Sequence, residues 1–253
     1  MIVFRWLHTI YATILFVLTF LIVFPGFVIL AQKKEWHITA YKLTHIWGVV
    51  LYKLVGLRVM IEDKNKGEWT KPCIYVANHF SYSDIASMPL ITNDACFVGK
   101  ESISKAPLFG YYFRALHITV NRKSLRDRGK VVGKTIEAIE AGKSLFIFPE
   151  GGIRSTNPPY QTPYKDGAFR TAITTGVPVV PVSLPYNWLL MPDDGSMLLR
   201  GNKIKIVIHE AISTENMTEE DIPELKKKVF NLIENELIKH NTDKIKEKKV
   251  EAI

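Results

Sequence analysis

Cys73-Ile74-Tyr75-Val76-Ala77-Asn78-His79-Phe80-Ser81-Tyr82-Ser83-Asp84 is the stretch on which the reading of this chain turns. Five apolar residues, several of them β-branched or aromatic, read as a buried strand. Polar residues end it, and a helix is expected from Asp84 to about Leu90. Polar groups gathered where a strand ends and a helix begins occupy the usual ligand position of an open α/β sheet. A histidine and an aspartate five residues apart across a turn can hydrogen-bond. The carboxylate then fixes the tautomer, and the other ring nitrogen is free to take a proton from a hydroxyl. Ser81 and Ser83 lack the Gly-x-Ser-x-Gly setting of a nucleophile elbow. Direct attack by a substrate hydroxyl is therefore the simpler chemistry. Taken alone, such a pair is more often a capping or core arrangement than a catalytic one.

A second strand-to-loop junction has the same plan. Ser144 to Phe148 is apolar, and Pro149-Glu150-Gly151-Gly152-Ile153-Arg154-Ser155 comes next. Gly151 and Gly152 let backbone amides approach a ligand as oxyanion or phosphate donors. Arg154 offers a planar fork suited to phosphate. Glu150 could bind a substrate hydroxyl or hold the arginine. Lys100 and Arg122 end two further strands, so three cations at strand ends could converge on one phosphate. The bland alternative is an ordinary turn with surface cations.

Around these junctions, strands are expected at 73–77, 96–99, 116–120, 144–148, 178–184 and 203–208. Helices are expected at 124–141 and 167–175, stopped by Gly142 and Gly176. A last helix begins at a capping-box-like Asp221-Ile-Pro-Glu and carries Leu225, Val229, Leu232 and Ile233 as its apolar stripe. Residues 56–70 read as a polar boundary loop. The alternation gives an α/β fold, with a mixed, mainly parallel sheet flanked by helices. No internal repeat or low-complexity tract interrupts it.

The N-terminus differs. From Trp6 to Ala31 no Lys, Arg, Asp or Glu occurs in 26 residues, enough helix to cross a hydrocarbon core of about 30 Å. A signal peptide fits poorly, because the run is long and no small-x-small cleavage site precedes Gln32. A single span, or a helix that enters one leaflet and turns back at Pro25-Gly26, both fit. Ile38 to Val55 then combines Trp36, Tyr41, Trp47 and Tyr52 with Lys42, His45 and Lys53 at helical spacing, as in a helix lying in an interface. Arg5 and Lys33-Lys34 flank the apolar run on both sides, so charge gives no orientation. An N-terminal membrane-embedded two-helix segment is the expectation.

The net charge of +8 favours an anionic partner. No recognised nucleic-acid module or aromatic–basic stacking array is present, so nucleic acid is not expected. Cys73 and Cys96 are too few for a disulfide framework or metal cluster and read as buried small hydrophobes in a reducing compartment.

Taken in order, these blocks resemble the glycerolipid acyltransferase family. Asn78-His79-x4-Asp84 is similar to its first block. Val98-Gly99-Lys100-Glu101 through Pro107-Leu108-Phe109-Gly110 resembles its connecting segment, and Ala115 to Arg122 its second block. Phe148-Pro149-Glu150-Gly151 with Arg154-Ser155 resembles the third. Lys165-Asp166-Gly167-Ala168-Phe169 is similar to the family's Lys-x-Gly-Ala-Phe stretch, and Val177-Pro178-Val179-Val180-Pro181-Val182 to its fourth block. The resemblance implies His79 as general base oriented by Asp84, and the glycines after Glu150 as oxyanion donors. It implies that Glu150 shapes the acceptor site and that Arg154, Arg122 and Lys100 hold the acceptor phosphate. The donor would be acyl-CoA or acyl carrier protein (acyl-ACP), with no further cofactor and no metal. The acceptor would be a lysophospholipid, with 1-acylglycerol 3-phosphate converted to phosphatidic acid in phospholipid biosynthesis. The implied location is a membrane, at its cytoplasmic face.

The chain then divides into membrane-binding helices at 1–55, an acyltransferase domain at 56–238 and a basic tail at 239–253. Two departures from the family pattern stand out. The third block reads Glu-Gly-Gly-Ile-Arg where Glu-Gly-Thr-Arg is usual, and Ala115 and Asn121 replace a glycine and an acid. Both lie near the acceptor headgroup, which leaves a lyso-aminolipid as an alternative acceptor. A non-catalytic peripheral protein that binds anionic lipid is the alternative of another class.

Overall fold

The structure, a computed structural model, describes residues 2–66, 70–121 and 125–245, with side chains at 125–128 left aside. In chain order the elements are α1 (Ile2–Leu30), α2 (His37–Val55), β1 (Arg58–Asp63), β2 (Ile74–Ala77), α3 (Tyr82–Ser87), β3 (Ala95–Lys100), α4 (Phe109–Leu116) and β4 (Ile118–Val120). Then come α5 (Leu125–Glu140), β5 (Ser144–Ile147), α6 (Gly167–Thr175), β6 (Val179–Ser183), α7 (Asn187–Leu190), β7 (Lys203–Ile208) and α8 (Ile222–His240). Among the described residues seven strands form one sheet in the order β1-β7-β6-β2-β5-β3-β4. Of the pairings between these strands, only β6–β7 is antiparallel. The mixed, mainly parallel sheet expected from the sequence is the one observed.

β2 and β6 are buried along their whole length, which is why they read as continuous apolar runs rather than alternating ones. Strand alternation sets two faces. Tyr75, Phe146 and Phe97 make a row of rings on one face, with centroids 4.9 and 5.0 Å apart. Leu145 and Ile147 point to the other, against α5 and α6. Cys73 immediately precedes β2 and Cys96 lies on β3, with β5 between these strands. Two strand spacings, about 9.5 Å, exceed what a disulfide can bridge. Both thiols are buried, and burial pushes each up to about 11.

Some elements differ from the sequence expectation. Residues 58–63, expected as loop, form an edge strand paired in parallel with β7. Its mostly exposed side chains and polar continuation masked a run that is legible only once β7 lies beside it. The expected strand 116–120 shortens to 118–120, because Phe109–Leu116 wind into α4. Gly110 permits this: a Cβ there would stand 2.3 Å from the Ser104 carbonyl oxygen. The capping box of the last helix is Thr218 with Asp221, one turn earlier than expected. Leu225, Val229, Ile233 and Leu237 then form its buried stripe.

The N-terminal pair is a helical hairpin. Pro25 lies inside α1 and does not turn it. The reversal comes at residues 31–36, of which 32–36 are exposed. Gly26 serves packing instead: a Cβ there would meet Leu43 Cδ2 at 3.1 Å. His8 Nε2 lies 3.0 Å from the Val55 carbonyl oxygen, and the Trp47 indole donates to Thr19 Oγ1 at 2.9 Å. α2 docks on the domain through Tyr41, which donates to the Leu116 carbonyl at 2.6 Å, and through Thr44 and Tyr112, 3.1 Å apart. α1 covers α2 and leaves Phe4, Leu7, Ile14, Leu18, Leu21 and Ile22 exposed. An apolar surface of this size on a folded domain marks a membrane-associated protein.

On the far side, Lys64 after β1 donates to Glu236 Oε2 of α8 at 2.8 Å, and Lys239 and His240 meet Oε1. Burial alone raises the Glu236 carboxyl, but the bonds from Lys64 and Lys239 outweigh it and hold it down to about 2. Stability carried by this ionised group is full above its ordinary value of 4.5 and is lost as pH falls towards about 2. Glu236→Gln is expected to flatten the acid limb of the unfolding midpoint over that window. Gly110→Ala is expected to destabilise by about 1–3 kcal/mol through overpacking against Ser104, read as a lowered denaturant midpoint.

Candidate active site

The site forms where β2, β5 and β3 end. Asn78, the first residue past β2, is fully buried and extends the ladder with its side chain. Its Oδ1 accepts from the Leu184 amide at 2.8 Å, and its Nδ2 donates to the Leu184 carbonyl at 3.3 Å. The bridge fixes where β2 stops and therefore where His79 begins. Sequence reading placed Asn78 in the motif without a task. An asparagine can satisfy an N–H and a C=O together, which is the reason for it here.

Asp84 is fully buried. Its Oδ2 accepts from His79 Nδ1 at 3.1 Å and from the amides of Phe80 at 2.7 Å and Ser81 at 2.8 Å. Ser81 is the N-cap of α3 and Asp84 its third helical residue, a capping box. The helix cap and the contact with His79 therefore rest on one oxygen of this aspartate. Its Oδ1 has no hydrogen-bond partner among the described residues. The His79 ring, almost wholly buried, stacks on Phe148 with centroids 4.2 Å apart. With Nδ1–H donated to Asp84, the Nε2 lone pair is left for the cleft.

Glu150 is also buried. Its Oε1 accepts from the His79 amide at 2.8 Å, and its Oε2 from the Thr162 amide at 3.1 Å and hydroxyl at 2.7 Å. It holds the backbone of His79, not Arg154. Burial raises its carboxyl above the usual range, opposed by the bonds from Thr162 and the His79 amide. Thr162 lies twelve residues on in a loop without local signal, and sequence reading missed it.

Gly151 takes a φ of +78°, and its amide closes the turn onto the Phe148 carbonyl at 3.0 Å. A Cβ at 151 would meet Lys165 Nζ at 2.4 Å. Of the two expected amide donors, Gly151 is thus committed to the turn, whereas Gly152 makes no hydrogen bond among the described residues.

His79, Lys100, Gly151, Gly152 and Arg154 line one cleft of about 640 Å³. Lys100 and Arg154 are exposed and form no ion pair among the described residues. Asp193 is the one acid at the cleft's wall among the described residues. Arg122 lies outside the described residues. An apolar cavity of about 480 Å³ between α1, α2, α3 and α4 shares Tyr82, Ile85, Phe97, Ile103 and Phe113 with the cleft. His117 stands in its wall as a structural group. Its Nδ1 accepts from the Phe97 amide at 3.2 Å, and burial, with Lys143 and His37 nearby, pushes it down to about 3.

This cleft and sheet define the class of protein. The Acyltransferase family model matches residues 58–185, half of the chain, and the chain belongs to that family. It is 33% identical over 200 residues to a 1-acyl-sn-glycerol-3-phosphate acyltransferase of Saccharomyces cerevisiae, covering 77% of this chain and 63% of that protein. It is 32% identical over 142 residues to a chloroplastic 1-acyl-sn-glycerol-3-phosphate acyltransferase of Brassica napus, covering 56% of this chain and 41% of that one. The chain thus spans less than two thirds of the length of either relative. The crystal structure of the 1-acyl-sn-glycerophosphate acyltransferase PlsC from Thermotoga maritima superposes with a TM-score of 0.75. It is 25% identical, and the match covers 94% of this chain and 96% of that one.

Asn78→Ala would leave the buried amide and carbonyl of Leu184 unpaired, at a cost of about 1–3 kcal/mol. A lowered thermal midpoint measures it.

Proposed function

We propose that this protein transfers a fatty acyl group from acyl-CoA or acyl-ACP to the sn-2 hydroxyl of 1-acylglycerol 3-phosphate, giving phosphatidic acid. The observation that carries the reading is one cleft holding the Asp84-oriented His79 together with two cations, Lys100 and Arg154. In this mechanism His79 Nε2 takes the hydroxyl proton as the oxygen attacks the thioester carbonyl. The Gly152 amide faces the oxyanion of the tetrahedral adduct. Collapse breaks the carbon–sulfur bond, and the imidazolium returns its proton to the thiolate. Lys100 and Arg154 hold the acceptor phosphate, with Arg122 as a third candidate. Glu150 shapes the acceptor site through the His79 backbone. The chemistry calls for no metal and no further cofactor.

The acyl chain fits the adjoining apolar cavity, and the hairpin supplies the chain with a lipid surface. α1 meets the domain at Thr9, which accepts from the Leu199 amide, and again through Phe20 and Phe24. Thr9 to Phe24 is about 22 Å of helix. A helix held to its domain over that length suits insertion into one leaflet better than crossing. Two buried free thiols suit a reducing compartment, hence the cytoplasmic face. The domain division at 1–55, 56–238 and 239–253 accompanies this reading.

A lyso-aminolipid is the second reading for the acceptor, favoured by Asp193, whose carboxylate could meet an ammonium. Two cations against one acid put the phosphate-bearing acceptor first.

Thiol release from acyl-CoA and acyl-ACP, with detergent-solubilised protein and a panel of both acceptors, tests the proposal. Acceptor-dependent release is expected with 1-acylglycerol 3-phosphate. His79→Ala should lower it by about 10²-fold or more, the loss typical of a general base. Turnover of the aminolipid alone would move the assignment to the second reading. Full activity in folded His79→Ala would remove the mechanism.

A further inference from the structure

A thioester donor joins two chemically opposite halves, an apolar chain and a water-soluble thiol-bearing arm. The structure has a place for each. On β3, Phe97 faces the apolar cavity beneath the membrane hairpin. Val98, its neighbour, points to the opposite face of the sheet and lines a second cavity of about 360 Å³ between the sheet, α5 and α6. Val98, Phe148 and Gly151 belong both to this cavity and to the reaction cleft, so the two spaces meet beside His79. We propose that this cavity binds the phosphopantetheine arm common to coenzyme A and acyl carrier protein. The assignment rests on the acyl-transfer reading above.

Three observations select the arm over a lipid. The cavity lies on the sheet face opposite the row of Tyr75, Phe146 and Phe97, away from the face on which α1 and α2 pack. An acyl chain bound there would have to leave the bilayer, whereas a water-soluble arm would not. Its wall mixes apolar and polar groups, with Val131 and Val132 beside Thr135, as suits a chain of amides with a branched aliphatic carbon. Its rim is cationic in sum, since Lys165 and Arg170 stand there with one acid, Asp166. Asp166 is paired with Lys226 at 2.7 Å, and Arg170 with Glu219 at 2.5 Å.

Lys165 places a charge where the two spaces join. Its amide donates to the Pro149 carbonyl at 2.9 Å, and its side chain lies across Gly151 at the seam between cavity and cleft. Lys130 and Lys134 are exposed one turn apart on α5, next to the stripe of Val131 and Thr135. Both donor carriers are anionic, so attraction to this rim does not distinguish them.

The experiment compares kcat/KM for acyl-CoA, acyl-ACP and the acyl thioester of N-acetylcysteamine, which keeps the thioester but lacks the phosphate and most of the arm. Val132→Trp fills the cavity. It is expected to lower the ratio of arm-bearing to truncated donor by about tenfold, the scale of one lost pocket contact set. Lys165→Gln, at an exposed side chain, should shift the ratio in the same direction without filling the cavity. Unfolding midpoints establish that both variants fold. A loss with both carriers identifies the shared arm, and a loss with one names the carrier that the site accepts.

Equal losses on all three donors, or a change confined to the acceptor KM, would overturn the assignment. If the wild type turns over no donor, the acyl-transfer reading fails, and direct binding tests the cavity separately. At least one of coenzyme A and holo carrier protein should bind the wild type and be weakened about tenfold by Val132→Trp. Binding of neither would end the proposal.

Discussion

One carboxylate oxygen, Asp84 Oδ2, governs the arrangement of the site. It gathers three N–H donors within 3.1 Å in a fully buried position. Two are the amides at the start of α3, and the third is the His79 ring. A buried carboxylate persists only when its charge is met by hydrogen bonds, so the same condition that lets Asp84 be buried also starts the helix and orients the histidine. Removing the aspartate would not merely subtract a charge from the site. It would release the turn that carries the site.

The second constraint is the pair of stitches that hold the strand ends in register. Asn78 joins the ends of β2 and β6 by side-chain bonds to Leu184, and Glu150 joins the β5 loop to the His79 backbone. Parallel strands leave their C-terminal amides and carbonyls open at one edge, and these side chains take them up. The cleft above is consequently shaped by buried polar groups, while Lys100 and Arg154 remain exposed at its wall. Charge at the mouth and satisfied hydrogen bonds beneath give a site that can bind an anion without loosening its base.

Legibility tracks burial and locality. The strands Ile74–Ala77 and Val179–Ser183 are readable because both faces are buried and the runs are unbroken. Gly142 and Gly176 are readable as stops because both take positive φ. The Ser81–Asp84 spacing carries a capping signal beside the His79–Asp84 pair. The edge strand Arg58–Asp63 is not legible, since its stability comes from β7, about 145 residues away. Pro25-Gly26 misleads for a related reason. Glycine marks a close approach as readily as a turn, and only the position of Leu43 distinguishes them.

The sequence by itself determined the α/β class, the apolar N-terminal helical segment and the residue types that can move a proton and hold an anion, because these rest on periodicity and on spacing within a few residues. Tertiary structure decided which of them meet. It spent the Gly151 amide on the turn and left that of Gly152 without a partner among the described residues. It gave Glu150 to His79 and Thr162 in place of Arg154. It set Lys165 against Gly151. Each of these depends on the packing of segments distant in the chain, and no local pattern encodes a distance between strand ends that only the finished sheet brings together.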